Sequence, residues 1–158
     1  MIETRKFAAG RAADFLRLYR ECLRHYKLPA ATDDQENRIL ALLISRRHMS
    51  CLMAYDGAQP VGFATWALTF PAGTGVALYM KELFVRGKAR GNGAGQALLA
   101  GLIQIAEDEG CLRFDWQTDD SNTGSQAFYA ALDAPLHDKK TYRITQQDYA
   151  KFRIRLGY

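Results

Sequence analysis

The sequence predicts an α/β or α+β fold, a mixed sheet flanked by helices. Three observations carry that expectation. Segments rich in β-branched and aromatic residues alternate with segments whose apolar residues recur at helical spacing. Asp56-Gly57 stands between two strand-like runs, which is a hairpin signal. A strand-like run from Leu78 to Val85 passes through a basic, glycine-rich turn straight into a helix-forming run. At 158 residues the chain fits one domain, residues 1–158, with a sizeable core.

Taken in order, Ile2 to Phe7 reads as a first strand. Ala12, Phe15, Leu16, Tyr19, Cys22, Leu23 and Tyr26 form a helical stripe, and Pro29 is expected to stop that helix. Thr32-x-x-Gln35 offers a capping box for a second helix through Leu40, Leu43 and Ile44. Ser50 to Tyr55 and Val61 to Phe70 are the two arms of the hairpin. Residues 71–75 read as a loop, and Val76 to Val85 as a longer strand. The next helix carries Leu98, Leu99, Leu102, Ile103 and Ala106 on one face, with Gly110 placed as its terminating glycine. Cys111 to Thr118 predicts a strand, and Ser121 or Asn122 caps a helix through Leu132. Thr141 to Thr145 predicts a last strand. Gln146 to Leu156 is a short helix or an edge strand.

The stretch Arg86 to Gly95 carries the chemistry. A helix N-terminus leaves backbone N–H groups unpaired and bears partial positive charge. Glycines let a ligand approach that backbone, and Arg86, Lys88 and Arg90 add cations. The pattern describes a cradle for a diphosphate. A solvated basic turn is the plainer alternative, but glycines cost a helix roughly 1 kcal/mol each where they fall inside it. A Walker loop needs Lys-Ser or Lys-Thr after its glycines, and none follows here. A dinucleotide fingerprint needs a third glycine where this chain has Gln96 or Leu98.

Composition narrows the partners. The net charge of +4 suits a polyanionic small ligand, and the basic residues form no single block of the kind nucleic acid requires. No apolar run approaches the ~20 residues that span a bilayer, and no secretory signal is apparent. Cys22, Cys51 and Cys111 are odd in number and scattered among apolar neighbours, so they read as reduced, buried thiols in a cytoplasmic protein. His25, His48 and His137 lack metal-ligand spacing, so no metal is expected.

Arg90-Gly91-Asn92-Gly93-Ala94-Gly95 resembles R-x-x-G-x-G, motif A of the GCN5-related N-acetyltransferases. A second stretch, Asn122-Thr123-Gly124-Ser125-Gln126-Ala127-Phe128-Tyr129, is similar to that family's N-x-x-[AS]-x-x-[FLN]-Y pattern. Together the likeness covers about Leu78 to Leu132. It implies a mostly antiparallel central sheet, splayed where acetyl-CoA binds. It implies cofactor contacts at Leu83, Phe84 and Val85, at Arg90, Gly91, Asn92, Gly93, Ala94, Gly95 and Gln96, and at Asn122 and Ser125. Tyr129 would protonate the leaving thiolate. The family also implies a frequent homodimer. One departure stands out: Leu132-Asp133-Ala134 replaces the family's Leu-Gly-Ala.

Glu82 lies in the apolar strand before the cradle, where the diamine and polyamine acetyltransferases also carry an acid. It reads as a base for the substrate amine or as a salt-bridged strand acid. Lys81 replaces a second acid of those enzymes, and a cation there would repel a polyamine. Strict alternation would set Met80, Glu82 and Phe84 on one face and Tyr79, Lys81 and Leu83 on the other. Tyr26, Asp33, Asp34 and Glu36 read as part of an acceptor wall or as a solvated helix start, and Trp66 and Trp116 as core, with lining of the acceptor side as the alternative. The expected activity is acetyl transfer from acetyl-CoA to a primary amine of a small molecule, by direct attack in a ternary complex. A protein or peptide amine, and a non-catalytic acyl-CoA-binding module, are the alternatives.

Overall fold

The computed structural model describes residues 1–71, 73 and 75–158; of the expected loop 71–75, Ala72 and Thr74 lie outside them. The chain divides into two compact units, Met1–Gln117 and Thr118–Tyr158.

The first unit holds a five-stranded sheet in the order β1-β2-β3-β4-β5. Its strands are β1 (Ile2–Lys6), β2 (Ser50–Asp56), β3 (Gln59–Thr69), β4 (Ala77–Val85) and β5 (Arg113–Trp116). The first four pair antiparallel, and β5 joins β4 in parallel. The helices are α1 (Ala12–His25), α2 (Asp33–Ser45) and α3 (Ala94–Asp108). The mixed, mostly antiparallel sheet expected from the sequence is therefore present.

Two cores follow from the strand period. Phe7, Phe15, Leu18, Cys22, Leu43, Cys51, Met53, Tyr55, Phe63 and Phe84 form one cluster, so α1 and α2 cover the face bearing the odd-numbered residues of β2 and β3. On the opposite face α3 lies close. A Cβ on Gly101 would stand 2.7 Å from the Leu52 side chain, and one on Gly62 would stand 3.3 Å from Leu98. The α1 stripe is centred on Phe15, Leu18 and Cys22, while Tyr26 is exposed, which corrects the expected list. In α3, Ile105 is buried and Ile103 faces solvent, because residues two apart in a helix lie about 200° apart around its axis.

Local sequence fixes the helix ends. Thr32 accepts from the Gln35 N–H, and the Gln35 side chain accepts from the Thr32 N–H, so the capping box forms as expected. Helix α1 stops before Pro29 is reached. Lys27 takes a left-handed conformation, and the N–H groups of Lys27 and Leu28 close back on Arg24 and Leu23. Gly110 ends α3 in the same way, with the N–H groups of Gly110 and Cys111 bonded to Glu107 and Ala106.

The second unit contains α4 (Thr123–Ala130) and α5 (Tyr149–Arg155). The segment 146–156 is thus helical, since a 3₁₀ turn at Gln146–Asp148 leads into α5. The strand expected at Thr141–Thr145 is absent: an alternating pattern makes a strand only where a neighbour accepts its hydrogen bonds, and none does here among the described residues.

Candidate functional site

The cradle stretch sits at the end of β4. After Val85 the chain makes a 3₁₀ turn (Gly87–Ala89), and α3 begins at Ala94. Gly91 and Gly93 hold φ values of +83° and +82°, which an L side chain adopts only with strain. Gly93 is the N-cap of α3 and offers no side chain to its free N–H groups, and the first turn holds no acid. Helix α2 begins in the opposite way, with Thr32 capping and Asp33, Asp34 and Glu36 in its first turn. The N–H groups of Ala94, Gly95 and Gln96 thus lack both intrahelical and capping acceptors, and no acid stands in the helix's first turn. That is the arrangement an anionic diphosphate fits.

The edge of β4 beside the cradle is open. Its pairing with β5 ends at Met80 opposite Trp116, so residues 81–85 have no strand partner on that side. The Arg86 N–H donates to Val61 O of β3. By alternation, Phe84 also turns its N–H to β3, and Leu83 and Val85 present theirs to the open side. The Val85 carbonyl accepts from Arg90 Nε at 3.0 Å, which ties the turn to the strand.

A bulge changes the face assignments on β4. Glu82 stands opposite Thr65, but Met80 stands opposite Trp66, so Lys81 is the extra residue. Tyr79, Glu82 and Phe84 consequently share the α1 face, and Met80 and Leu83 share the α3 face. Strict alternation had grouped Met80 with Glu82. The Glu82 carboxylate is half exposed, with Lys81 Nζ 3.9 Å away. Its charge reaches across to α1, where it helps raise the Tyr19 hydroxyl and the Cys22 thiol above their ordinary values; burial is the larger cause in both. Cys22, pushed up to about 12, stays a thiol and is no nucleophile. Cys51 is likewise buried and raised, whereas Cys111 is only partly covered, contrary to expectation.

Arg90 also reaches α1. Its Nη2 lies 3.1 Å from His25 Nε2. A guanidinium only donates, so Nε2 is the acceptor and the His25 proton sits on Nδ1. His25, Phe84 and Arg90 line a cleft of about 290 Å³ together with Glu21, Arg24 and Gly87. Arg86 closes one side through a paired contact with Glu21. No signal in the sequence pointed to His25. Burial, and then the Arg90 charge, hold its imidazole below the ordinary 6.5. A depressed imidazole leaves the unfolded chain binding more protons, so this contribution to stability is full above 6.5 and is lost as pH falls through the folded value. We expect Arg90→Gln to move the His25 titration upward in an NMR pH series; an unchanged midpoint would mean the pair does not interact in solution.

Of the expected acceptor wall, Glu36 is buried beneath Arg20, which donates to it at 2.7 and 2.6 Å and holds its carboxyl below the usual range. It is a structural ion pair. Asp33 and Asp34 are exposed helix-start acids. Trp66 is buried as expected, while Trp116 is only half-buried, against Phe114.

Within the second unit, Asn122 caps α4 and its Oδ1 accepts from the Ser125 N–H at 3.1 Å. Asn122, Ser125 and Tyr129 follow at helical spacing along α4, and all three are half-buried. Asp133 takes φ +51° where the resembling pattern carries glycine, so the turn is kept at the cost of some strain. Among the described residues no three His, Cys, Asp or Glu side chains cluster for a metal, and no helix is long and apolar enough to cross a membrane.

An uncapped helix start with no acid in its first turn, beside an open strand edge, thus sits in a mixed α/β sheet at the end of β4. The chain belongs to the acetyltransferase (GNAT) family, whose model matches residues 12–133. It is an N-acetyltransferase of that family, whose members use acetyl-CoA. Among similar proteins, the thialysine N-epsilon-acetyltransferase of Caenorhabditis elegans is 27% identical over 90 residues, which is 57% of this chain and 56% of that enzyme. An integron cassette protein from V. cholerae superimposes with a TM-score of 0.84 at 28% identity, covering 96% of this chain and 97% of that one. The aminoglycoside N-acetyltransferase AAC(6')-Iy in complex with CoA shares the fold, with a TM-score of 0.79 at 17% identity over 92% and 95% of the two chains.

Proposed function

We propose that this chain transfers acetyl from acetyl-CoA to the primary amine of a small molecule, by direct attack in a ternary complex, and that its 158 residues act as one catalytic domain. The observation that carries the reading is the α3 N-terminus, where Gly93 at φ +82° opens three uncapped N–H groups with no acid in the helix's first turn. Cofactor contacts are assigned to the Leu83–Val85 edge and to residues 90–96. The family match runs from residue 12 to 133 and so includes residues of both compact units, which supports the single domain. The names of the relatives, which mention thialysine and aminoglycosides, favour a small amine.

Acetyl-CoA supplies the thioester. The chain supplies position and proton traffic. Of Phe84 and Val85, whose N–H groups are the two candidates to polarise an acyl carbonyl, Val85 is assigned the role because its N–H lies on the open side of β4. An ammonium is not a nucleophile, and Glu82, half exposed on the strand before the cradle, is the group assigned to take its proton, directly or through water. Tyr129 is assigned to return a proton to the thiolate, an assignment that rests on the sequence pattern. Asn122 and Ser125 are assigned to the pantetheine arm on the same ground.

The test is free-thiol release from acetyl-CoA across panels of polyamines, amino acids, aminoglycosides and N-terminal peptides. Small amines should be turned over and peptides should not. Tyr129→Phe should lower kcat about 10-fold or more with acetyl-CoA affinity unchanged; equal turnover would remove its acid role. Glu82→Gln should slow the reaction chiefly below the amine's own pKa, and an unaltered pH–rate profile would count against the base.

A further inference from the structure

Residues 135–158 form an arm with the composition of a packed segment and none of the packing. Every one of them is exposed. Leu136, Tyr142, Tyr149, Ile154, Leu156 and Tyr158 each show more than half of their surface to solvent. Residues 135–144 make no backbone hydrogen bond among the described residues. Yet Thr141, Tyr142, Arg143, Ile144 and Thr145 carry the alternation and the residue types of a strand. Helix α5 spans only Tyr149–Arg155, and a helix that short holds in water only when it packs on something. Exposed apolar surface of this extent marks an interaction surface.

The first unit carries a surface that matches it. Strand β5 is the last of the sheet: it pairs with β4 on one side and with no strand on the other. Such an edge is a template for a further strand. The register also sets an apolar row at the start of β5. Thr69 stands opposite Ala77, and Ala77 opposite Arg113, so Phe70, Val76 and Leu112 lie side by side one step further along. The Leu112 N–H donates to the Val76 carbonyl at 2.9 Å, which fixes the row. All three side chains are exposed, Phe70 at 84% and Leu112 at 73%.

Charge is complementary between the two surfaces. The arm holds Lys139, Lys140, Arg143, Lys151, Arg153 and Arg155 against Asp138 and Asp148. Among the described residues none of these cations makes an ion pair. Glu107, Asp108 and Glu109, just before Leu112 in the chain, are exposed and likewise in no ion pair among the described residues.

We propose that the arm of one copy docks on the β5 edge of a second copy, whose own arm docks on the first. Residues 141–145 add to β5 as a strand, the arm's apolar side chains cover the Phe70–Val76–Leu112 row, and its cations face the acids at 107–109. A second copy is the occupant because one chain holds both halves of the match, a strand without an edge and an edge without a strand. Two copies about a two-fold axis satisfy each other. A stable interface takes roughly 20–30 residues a side, about the length of this arm. The proposal goes beyond acetyl transfer and does not depend on where the cofactor sits.

Sedimentation of the full chain at about 50 µM, without acetyl-CoA, is the test, because a specific dimer of this size holds at that concentration. The mass should be twice 17.8 kDa. Ile144→Asp on the arm and Leu112→Lys on the row should each raise the dimer Kd about 10-fold or more, since each replaces a covered apolar side chain with a charge. Both residues are exposed in the single chain, so each variant should keep its circular dichroism spectrum. Mixing the two variants should recover dimer, because the pair retains one intact arm and one intact edge. Amides 142–145 should exchange slowly in the dimer. A monomer at 50 µM would overturn the proposal, including a monomer whose amides 142–145 are protected by its own β5. So would a dimer that neither variant weakens, or one in which those amides exchange freely.

Discussion

Gly93→Asp should raise the Kd for acetyl-CoA by about 100-fold or more, a loss of roughly 2.7 kcal/mol, while the thermal midpoint moves little. The two halves of that expectation have separate causes. Gly93 is the N-cap of α3 at φ +82°, and an added Cβ meets only the Gln96 side chain, at 4.0 Å. An aspartate there costs about 1–2 kcal/mol for the left-handed backbone. It recovers about 1 kcal/mol by accepting from the helix's free N–H groups, as an N-cap acid does. The fold therefore survives. The same carboxylate takes the N–H groups assigned to the diphosphate and puts a negative charge beside them. Gly93→Asn, uncharged and of the same shape, should fall between the two proteins. Calorimetry with acetyl-CoA checks both variants, and wild-type affinity in Gly93→Asp would contradict the assignment.

Gly62→Val should destabilise the protein by about 3 kcal/mol or more, a fall of roughly 10 °C in Tm. A Cβ at Gly62 would sit 2.7 Å from the Phe84 carbonyl oxygen, 3.2 Å from Val85 Cγ2 and 3.3 Å from Leu98 Cδ1. The nearest of these is backbone of β4, which cannot yield without parting β3 from β4 or lifting α3. Gly101 is the informative comparison. Its Cβ would also lie 2.7 Å from a neighbour, but that neighbour is the tip of the Leu52 side chain, which can rotate away. Gly101→Ala should therefore cost much less than Gly62→Val. Urea denaturation of the two variants decides it, and equal losses would mean the β3–β4 approach is not rigid. Because Gly62 stands opposite Val85, the last residue before the cradle turn, Gly62→Val should weaken cofactor binding as well.

Much of this was readable in the sequence because local chemistry decided it. Thr32 and Gln35 form their box, Gly110 closes α3, and Gly91 and Gly93 adopt the conformations only glycine takes freely. The glycine turn that opens α3 was legible for that reason, since its signal is local. What was not legible depended on neighbours. The bulge at Lys81 is a property of the β3–β4 pair, and it moved Met80 to the other face. Leu18 was missed in the α1 stripe, although it is fully buried at the stripe's centre, three residues after Phe15 and four before Cys22. Residues 141–145 alternate like a strand but pair with nothing. His25 lies 65 residues from Arg90, and only the packing of α1 against the end of β4 brings the two within 3.1 Å.

The most direct measurement is a crystal structure of the chain with acetyl-CoA. The account predicts diphosphate oxygens at hydrogen-bonding distance, about 2.9 Å, from the N–H groups of Ala94, Gly95 and Gln96, with the thioester lying along the open edge at Leu83 to Val85. A diphosphate seated anywhere else, with those amides turned to solvent, would contradict it.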